Sequence, residues 1–221
     1  MSEPARAFVP GHVTTFFSVH RHEDPARAGS RGAGITISDG VTVTVEPAPE
    51  TRVALDAEPT RIEPVERVLS ALGVTARVAV ESDLPPGAGF GVSGAAALGA
   101  ALATNRVFEC ERSENELIRI AHVAEVESGT GLGDVVAQAR GGAPIRVEPG
   151  APGRGRLDGV PETGRLEYLS FGDLSTEEVI SGDTDRLSAA GESALADLRA
   201  RPTLPRLFAL GREFASEASL L

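Results

Sequence analysis

The chain of 221 residues contains no lysine and no tryptophan, and it has one cysteine, one methionine and one tyrosine. Because all 21 basic residues are arginines, the lysine of a Walker P-loop is missing, and that class of nucleotide site is excluded. The single cysteine, Cys110, cannot form an internal disulfide and agrees with a reducing compartment. No apolar run reaches the roughly 18 residues of a membrane span, and residues 1–4 show no signal-peptide pattern. We therefore predict a cytoplasmic protein.

Acidic residues outnumber basic ones by 32 to 21, which gives a formal net charge of −11. This charge repels phosphate backbones and argues against nucleic acid as a partner. An acid-rich, lysine-free composition is expected of a cytosol with very high salt, although high genomic G+C content also replaces lysine by arginine. Aromatic residues make up only 4% of the chain. The core must therefore be built from valine, leucine, isoleucine and alanine.

The segment 85–97 is the feature around which the rest of the sequence is organised. An alternating run over 75–82 predicts a strand, and the alanine- and leucine-rich run over 95–105 predicts a helix. A glycine-rich loop joining a strand to a helix N-terminus presents unpaired N–H groups and the positive end of the helix dipole, which suits phosphate. A plain glycine turn is one alternative. A dinucleotide fingerprint (Gly89, Gly91 and Gly94) is another, but it needs a second strand and an acid about 20 residues further on, and a second helical pattern follows here instead.

Other segments predict strands packed with helices, an α+β arrangement. Residues 5–17 predict a hairpin around a turn at Pro10 and Gly11, and residues 29–34 a flexible loop. Residues 20–24 resemble a metal site only superficially and are interpreted as a solvated loop. Residues 151–164 predict a linker or a long hairpin. Further strands are predicted over 41–45, 52–57 and 165–171, and helices over 62–72, 113–127, 176–187, 189–199 and 204–221.

Two acids and a glycine-rich loop follow the predicted capping box of Ser113 and Glu116. The helix over 113–127 carries Glu125 and Glu127, and the chain then runs through three glycines to Asp134 and an apolar stretch. A simple N-cap is the structural interpretation of Asp134. A carboxylate set among glycines beside an apolar stretch also suits a functional site.

Three motifs resemble the GHMP kinases, the family of galactokinase, homoserine kinase and mevalonate kinase. The loop Pro85-Pro86-Gly87-Ala88-Gly89-Phe90-Gly91-Val92-Ser93-Gly94-Ala95 is similar to the family pattern P-x-G-x-G-L-G-S-S-A-A, with departures at Phe90, Val92 and Gly94. The run from Pro10 to Phe17 resembles the first family motif. The combination of Ala121, Glu125, Asp134 and Gly141-Gly142 resembles the pattern of mevalonate-type kinases. Within the family, residues 10–17, 29–34 and 124–138 are most similar to archaeal pantoate kinases.

The resemblance implies a fold and a length. The expected fold is GHMP-kinase-like α+β, with a ribosomal-protein-S5-like N-terminal domain over 1–157 and a ferredoxin-like C-terminal domain over 158–221. GHMP kinases continue into a third glycine motif, so the resemblance leads us to expect an incomplete C-terminal domain or a short homologue.

The resemblance also implies roles. ATP would be the phosphoryl donor, with its phosphates held by Pro86, Gly87, Ala88, Gly89, Phe90, Gly91, Val92, Ser93, Gly94 and Ala95. Mg²⁺ would be held by Ser93 and Glu125, with Glu127 as the alternative acid, and Asp134 would be the catalytic base. His12, Ser30, Arg31 and Thr130 would contact the acceptor, because a polar residue after Pro-Gly can face substrate and an arginine fork suits a carboxylate. The expected partner is pantoate, with a homodimer left open. The alternatives are another GHMP acceptor acid and a non-catalytic nucleotide-binding homologue.

Overall fold

A computed structural model of the chain describes residues 3–169, 179 and 184–220. Within these residues it contains one seven-stranded sheet and six α-helices. The strands are β1 (Ala5–His20), β2 (Gly29–Pro47), β3 (Arg52–Leu55), β4 (Glu58–Pro59), β5 (Ala76–Ser82), β6 (Ala143–Glu148) and β7 (Arg156–Val160). The helices are α1 (Glu63–Leu72), α2 (Val92–Val107), α3 (Glu114–Ser128), α4 (Asp134–Arg140), α5 (Asp185–Ala200) and α6 (Leu204–Glu217).

The long strand β2 is the centre of the sheet. Along the order β4-β3-β5-β2-β6-β7, β2 pairs with β6 near its start and with β5 over Val41–Pro47. Strand β1 pairs antiparallel with β2 from Ala5 and Val45 to His20 and Gly29. Among the strands in the described part of the chain, β3 and β5 form the only parallel pair. The hairpin of β1 and β2 therefore spans both parts of the sheet, the part that contains β5 and the part that contains β6.

Two hydrophobic cores lie along this hairpin. The first packs valines of β1, β2 and β5, such as Val9, Val43 and Val80, against α1, α2, α3 and α4. Its alanine-rich helix α2 lies directly on the strands, since small side chains allow close packing. The second core packs Phe16 of β1 and Ile145 of β6 against α5 and α6. Both cores are aliphatic apart from a few phenylalanines, as the composition predicts.

Most predicted elements are present. The structure confirms the strand over 76–82, the helix over 63–72 with its left-handed C-cap Gly73, and the α3 helix with the capping box of Ser113 and Glu116. The predicted helices over 95–105, 189–199 and 204–221 correspond to α2, α5 and α6, and residues 151–164 include β7 of a β6–β7 hairpin. The predicted domain boundary after residue 157 falls within β7, and the division into two domains stays a prediction.

Two local predictions in the first 34 residues are wrong. Residues 5–17 form one continuous strand rather than a hairpin, and the Pro10-Gly11 step is a register shift in the pairing with β2. Pro10 lacks an N–H, so the ladder is interrupted there by a bulge instead of a turn. Residues 29–34 are not a flexible loop, because they pair with β1 and β6 as the start of β2.

The end of the sheet is followed by a segment without regular structure. Residues 165–169, predicted as part of a strand, have no regular secondary structure. Residues 170 and 171 of that prediction, and most of the helix predicted over 176–187, lie outside the described residues. None of the helices in the described part of the chain has the length and apolar character needed to cross a bilayer.

Candidate active site

The loop before α2 presents free backbone N–H groups. Gly91 is the N-cap residue of α2, with a left-handed φ of 66°, and no side chain caps the helix. The first hydrogen bond inside the helix runs from the Ala95 N–H to the Gly91 carbonyl. The N–H groups of the first turn therefore remain available at the positive end of the helix dipole, which is the arrangement that binds an anion.

Small residues keep this loop close to α3 and α4. A Cβ atom on Gly91 would lie 2.9 Å from Nε2 of Gln138 and 3.1 Å from Cβ of Asp134. At Gly94, where the family pattern has alanine, a Cβ would lie 3.2 Å from Oε1 of Gln138 and 3.3 Å from Oε2 of Glu125. Gly94 thus departs from the family pattern at a position where the backbone packs tightly against the side chains of Gln138 and Glu125.

A buried carboxylate lies beside the start of α2. The hydroxyl groups of Ser93 and Thr130 donate to Oε1 of Glu125 at 2.7 Å and 2.8 Å. Burial raises the pKa of Glu125 to about 7, against the two hydrogen bonds, which lower it. Glu127 lies elsewhere, on the exposed side of α3, where it pairs with Arg67 at 3.0 Å. Of the two predicted acids, only Glu125 is in contact with Ser93.

The donor set around Glu125 suits a hard cation. Among the described residues no group of three or more His, Cys, Asp or Glu is arranged to hold a metal ion. Mg²⁺ needs no such group, because it keeps several waters and binds through one or two protein oxygens plus substrate phosphates. The Ser93 hydroxyl and the Glu125 carboxylate supply two such oxygens, and a cation would provide the opposite charge that this buried acid lacks.

A second carboxylate, Asp134, is held by a buried histidine. Nδ1 of His12 lies 2.7 Å from Oδ1 of Asp134, and the His12 side chain is fully buried while that of Asp134 is 19% exposed. Asp134 is the first residue of α4, whose N-cap is Gly133. The simple N-cap interpretation of Asp134 is therefore wrong. Its carboxylate is aimed at His12 and at open space.

The protonation states of this pair follow from burial and charge. Burial lowers the pKa of His12, so the ring is neutral at pH 7 and donates its Nδ1–H to Asp134. Burial alone would raise the pKa of Asp134, but the hydrogen bond from His12 and the positive charge of Arg146 outweigh it and hold that pKa below the ordinary value. Asp134 is thus an ionised carboxylate that retains lone pairs for a further donor.

Arg146 of β6 is a buried arginine with unused hydrogen-bonding capacity. Its Nε atom donates to Oγ of Ser30 at 3.1 Å, and its buried Nη1 atom has no hydrogen-bond partner among the described residues. Ser30 is held in turn by its backbone N–H, which donates to the Leu132 carbonyl at 2.9 Å. A guanidinium with a free donor, set beside a hydroxyl, is a site for a carboxylate or phosphate.

Two depressions meet at Asp134. The first, here called the loop groove, has a volume of about 270 Å³ and is lined by loop residues 86–87 and 89–93, by Thr130 and by Asp134. The second, here called the Arg146 cavity, has a volume of about 240 Å³ and includes Ser30, Arg146 and Asp134 in its lining. Gly89 and Gly91 also line both. An anion on the loop and a small acid in the cavity would therefore approach each other at Asp134.

Comparisons with known proteins agree with this geometry. Residues 62–142 match the model of the GHMP kinases N terminal domain. The chain is 37% identical to the pantoate kinase of Thermococcus kodakarensis, an alignment that covers 98% of this chain and 76% of that protein. It is 34% identical to the pantoate kinase of Methanocaldococcus jannaschii, over 97% of this chain and 80% of that protein.

The chain belongs to the GHMP kinase family. A solved structure described as a phosphotransferase related to the CoA biosynthesis pathway superimposes with a TM-score of 0.84 at 33% identity and covers 99% of this chain and 77% of its own. Mevalonate-3-kinase from Thermoplasma acidophilum superimposes with a TM-score of 0.60 at 12% identity, over 99% of this chain and 74% of its own, a likeness of fold alone. The predicted α+β GHMP-kinase-like fold is confirmed.

Most residues that the family motifs single out lie together. The loop, Ser93, Glu125, Thr130 and Asp134 surround the loop groove or its edge, and Ser30 lies in the Arg146 cavity. Arg31 points to the other face of β2, where its guanidinium bonds to the Val147 carbonyl and to Glu192 of α5. His12 lies behind Asp134 rather than in the cavity lining given by Ser30 and Arg146.

Sequence reasoning missed two residues of the site. Arg146 sits in a short alternating strand, where an arginine is usually solvent-exposed. The only available signal was that Ile145 and Val147 on either side of it are apolar. Gln138, one helical turn after Asp134, donates to the Gly91 carbonyl at 2.9 Å and so connects α4 to the loop. Its spacing of four residues from Asp134 places both on one helix face.

Proposed function

We propose that the protein is an ATP-dependent kinase that phosphorylates the primary hydroxyl of pantoate to 4-phosphopantoate in coenzyme A biosynthesis. The observation that carries this proposal is the position of Asp134, which lines both the loop groove and the Arg146 cavity. Relatives named pantoate kinase, 34–37% identical over nearly the whole chain, support the acceptor. The neighbour described as a phosphotransferase related to CoA biosynthesis supports the pathway.

The loop would hold the phosphates of ATP. The free N–H groups at the start of α2 donate to phosphate oxygens, and the helix dipole favours their negative charge. Ser93 and Glu125 would hold Mg²⁺, which when bound neutralises charge on the transferred phosphoryl group. The proximity of the Ser93 hydroxyl and the Glu125 carboxylate, 2.7 Å apart, is the support for this pairing. Thr130, which shares the same carboxylate oxygen, would orient Glu125.

Arg146, positioned by Ser30, would hold the carboxylate of pantoate. The unpartnered Nη1 of Arg146 is a donor inside a cavity sized for a small acid. The Ser30 hydroxyl accepts from Nε of Arg146 and donates to the Leu132 carbonyl at 3.4 Å, so it fixes the guanidinium in place. A buried guanidinium without a full set of acceptors is costly, so a substrate carboxylate would satisfy a donor that is otherwise unpaired. This assignment puts Arg146 in the role that the sequence motifs suggested for Arg31.

Asp134 would act as the general base. The hydroxyl oxygen of pantoate attacks the terminal phosphorus in line with the departing ADP, and the hydroxyl proton passes to the Asp134 carboxylate. His12 positions that carboxylate and keeps it ionised by donating its Nδ1–H. Positioning of two bound reactants and neutralisation of charge account for most of the rate enhancement in phosphoryl transfer.

The setting of the reaction follows from composition. A chain with 32 acidic residues and no lysine supports a cytoplasm of high salt, as in halophilic archaea. The proposal includes no nucleic-acid or membrane partner, because the net charge of −11 opposes binding to phosphate-rich surfaces.

The proposal is tested by measuring ADP release from ATP with pantoate, mevalonate or homoserine as acceptor. We expect turnover with pantoate at least tenfold more efficient, in kcat/KM, than with the other two. Similar turnover with all three acceptors would overturn the substrate assignment. A protein that binds ATP but releases no ADP with any acceptor would instead be a non-catalytic homologue.

A further inference from the structure

The Arg146 cavity has an apolar wall as well as a polar one. Besides Asp134, Ser30 and Arg146, its lining includes Phe17, Leu132, Val179, Phe214 and Leu220. Phe17 and Phe214 face each other with their ring centroids 5.7 Å apart at an interplanar angle of 53°. The two phenylalanines, called here the aromatic pair, give the cavity a surface that no carboxylate or hydroxyl group would use.

The aromatic pair joins two parts of the fold. Phe17 belongs to β1, five residues after His12, and Phe214 belongs to α6, where it shares the buried helix face with Leu207 and Leu210. Phe214 is only 4% exposed, so its ring is fixed by the second core while one part of it still borders the cavity. A rigid aromatic surface placed this way discriminates by shape and by the apolar area of what it contacts.

The inference that follows rests on the proposed function, in which pantoate is the acceptor. The shape of pantoate explains the apolar wall of the Arg146 cavity. Pantoate carries two methyl groups on the carbon next to its reacting CH₂OH group. A carboxylate held by Arg146 and a hydroxyl at Asp134 leave this quaternary carbon between them, inside the same cavity. We propose that the aromatic pair recognises the two methyl groups and makes the enzyme selective for acids that are fully substituted next to the reacting carbon.

The expected size of the effect follows from apolar recognition. A methylene-sized group in a well-formed apolar pocket is worth roughly 10- to 200-fold in kcat/KM. The acceptor to compare with pantoate is the unbranched dihydroxybutanoate that lacks both methyl groups and keeps the carboxylate and both hydroxyls. In the unmodified protein we expect kcat/KM to favour pantoate over this analogue by at least roughly tenfold.

The test measures this ratio in Phe214→Ala and Phe214→Leu. In Phe214→Ala we expect the preference for pantoate to fall by roughly tenfold, mainly through a higher KM for pantoate. Turnover of the unbranched analogue and the KM for ATP should change by less than about threefold, because neither uses the methyl contact. Phe214→Leu, which keeps an apolar side chain and most of the core packing, should give an intermediate ratio.

Leu210→Ala is the matched control. Leu210 lies one turn earlier on α6 in the same core, and the described residues that line the cavity do not include it. This variant should lower the melting temperature without changing the ratio. Equal losses for both acceptors in the Phe214 variants, or a change only in the KM for ATP, would overturn the inference.

The outcomes separate this inference from the proposed function. Turnover of pantoate with an unchanged preference in both Phe214 variants contradicts the aromatic pair and leaves the kinase assignment intact. Absence of pantoate turnover in the unmodified protein contradicts the proposed function, and the inference about its methyl groups then falls with it.

Discussion

Nδ1 of His12 lies 2.7 Å from Oδ1 of Asp134, although the two residues are 122 positions apart in the chain. The bulge after Pro10 sets the direction of the His12 side chain, and the backbone N–H of His12 donates to the Phe90 carbonyl at 3.0 Å. His12 thus contacts the glycine-rich loop before α2 through its backbone and Asp134 through its ring. One residue aligns the two parts that the proposed reaction has to bring together.

Replacing His12 should therefore impair the base more than substrate binding. In His12→Leu we expect kcat to fall roughly 10- to 100-fold through misplacement of Asp134, with the KM for pantoate changed by less than about threefold. Loss of the hydrogen bond also raises the pKa of Asp134, so the acidic limb of the kcat–pH profile should move to higher pH. His12→Asn, whose amide can still donate to Asp134, should recover part of kcat. Equal kcat values for the two variants would contradict this role.

Asp134→Asn removes the carboxylate but keeps the shape of the side chain. If Asp134 accepts the hydroxyl proton, kcat should fall by roughly 10²–10⁴-fold. Binding of ATP, measured by calorimetry, should stay within about threefold, since the loop N–H groups are untouched. Full activity in this variant would show that transfer proceeds without a base at this position.

Glu125 and Glu127 can be separated by a matched pair of substitutions. Glu125→Gln removes the charge next to Ser93, so half-maximal activity should need a Mg²⁺ concentration at least roughly tenfold higher. Glu127→Gln breaks only the exposed pair with Arg67, and its Mg²⁺ dependence should match that of the unmodified protein. Titrations of activity against Mg²⁺ distinguish the two, and identical curves for both variants would contradict the metal assignment.

The two candidate arginines are also distinguishable. Arg146→Gln should raise the KM for pantoate by roughly 10- to 100-fold, the loss expected for a charge-assisted hydrogen bond. Arg31→Gln breaks contacts with Val147 and Glu192 on the other face of β2 and should change the KM for pantoate by less than about threefold. The reverse ranking, measured in steady-state assays with saturating ATP, would restore the role first suggested for Arg31.

Buried neutral histidines should make stability depend on pH. Burial lowers the pKa of His122, and its Nε2–H donates to the Ala28 carbonyl at 2.9 Å. At His122, the folded protein therefore binds fewer protons than the unfolded chain as the pH falls below 6.5, the ordinary value for histidine. The stability from a neutral His122 is present above that pH and is lost as the pH falls, by up to about 1.4 kcal/mol per pH unit.

This contribution is measured as a difference between two proteins. Glu125 has the opposite dependence, because its pKa is raised to about 7 and its protonated form stabilises the fold at lower pH. Urea unfolding of the unmodified protein and of His122→Gln, compared between pH 5 and 8, cancels Glu125 and all other common groups. We expect the free-energy difference between the two to shrink as the pH falls below 6.5. A difference independent of pH would contradict a neutral, buried His122.

Local signals in the sequence predicted the loop and the starts of α2 and α3. Glycine-rich residues 87–91 before an alanine-rich run predict a helix start, and Ser113 with Glu116 predicts another, because these signals act within a few residues. The signals around Pro10 failed, since a Pro-Gly step fits a turn and a bulge equally well. Pairing with Val41 and Thr36 of β2 decides between them, and that partner is more than 20 positions away.

Arg146 shows what the sequence could not provide. All but the last residue of β6 is buried, so both faces of this strand are covered. An alternating pattern assigns arginine to the solvent side of a strand. The buried position of the Arg146 guanidinium follows from the tertiary structure, because β6 lies between β2 and β7 and Ser30 lies beside Arg146.

The hairpin of β1 and β2 also determines how cooperatively the protein unfolds. The second core takes Phe16, Ala33 and Ile35 from this hairpin, while Val9 and Val43 of the same strands belong to the first core. A fragment of residues 158–221 would lack the side chains that β1 and β2 contribute to the second core. Separation of β1 from β2 would therefore disrupt both hydrophobic cores. Melting should then be a single cooperative event, with a calorimetric enthalpy equal to the van't Hoff enthalpy.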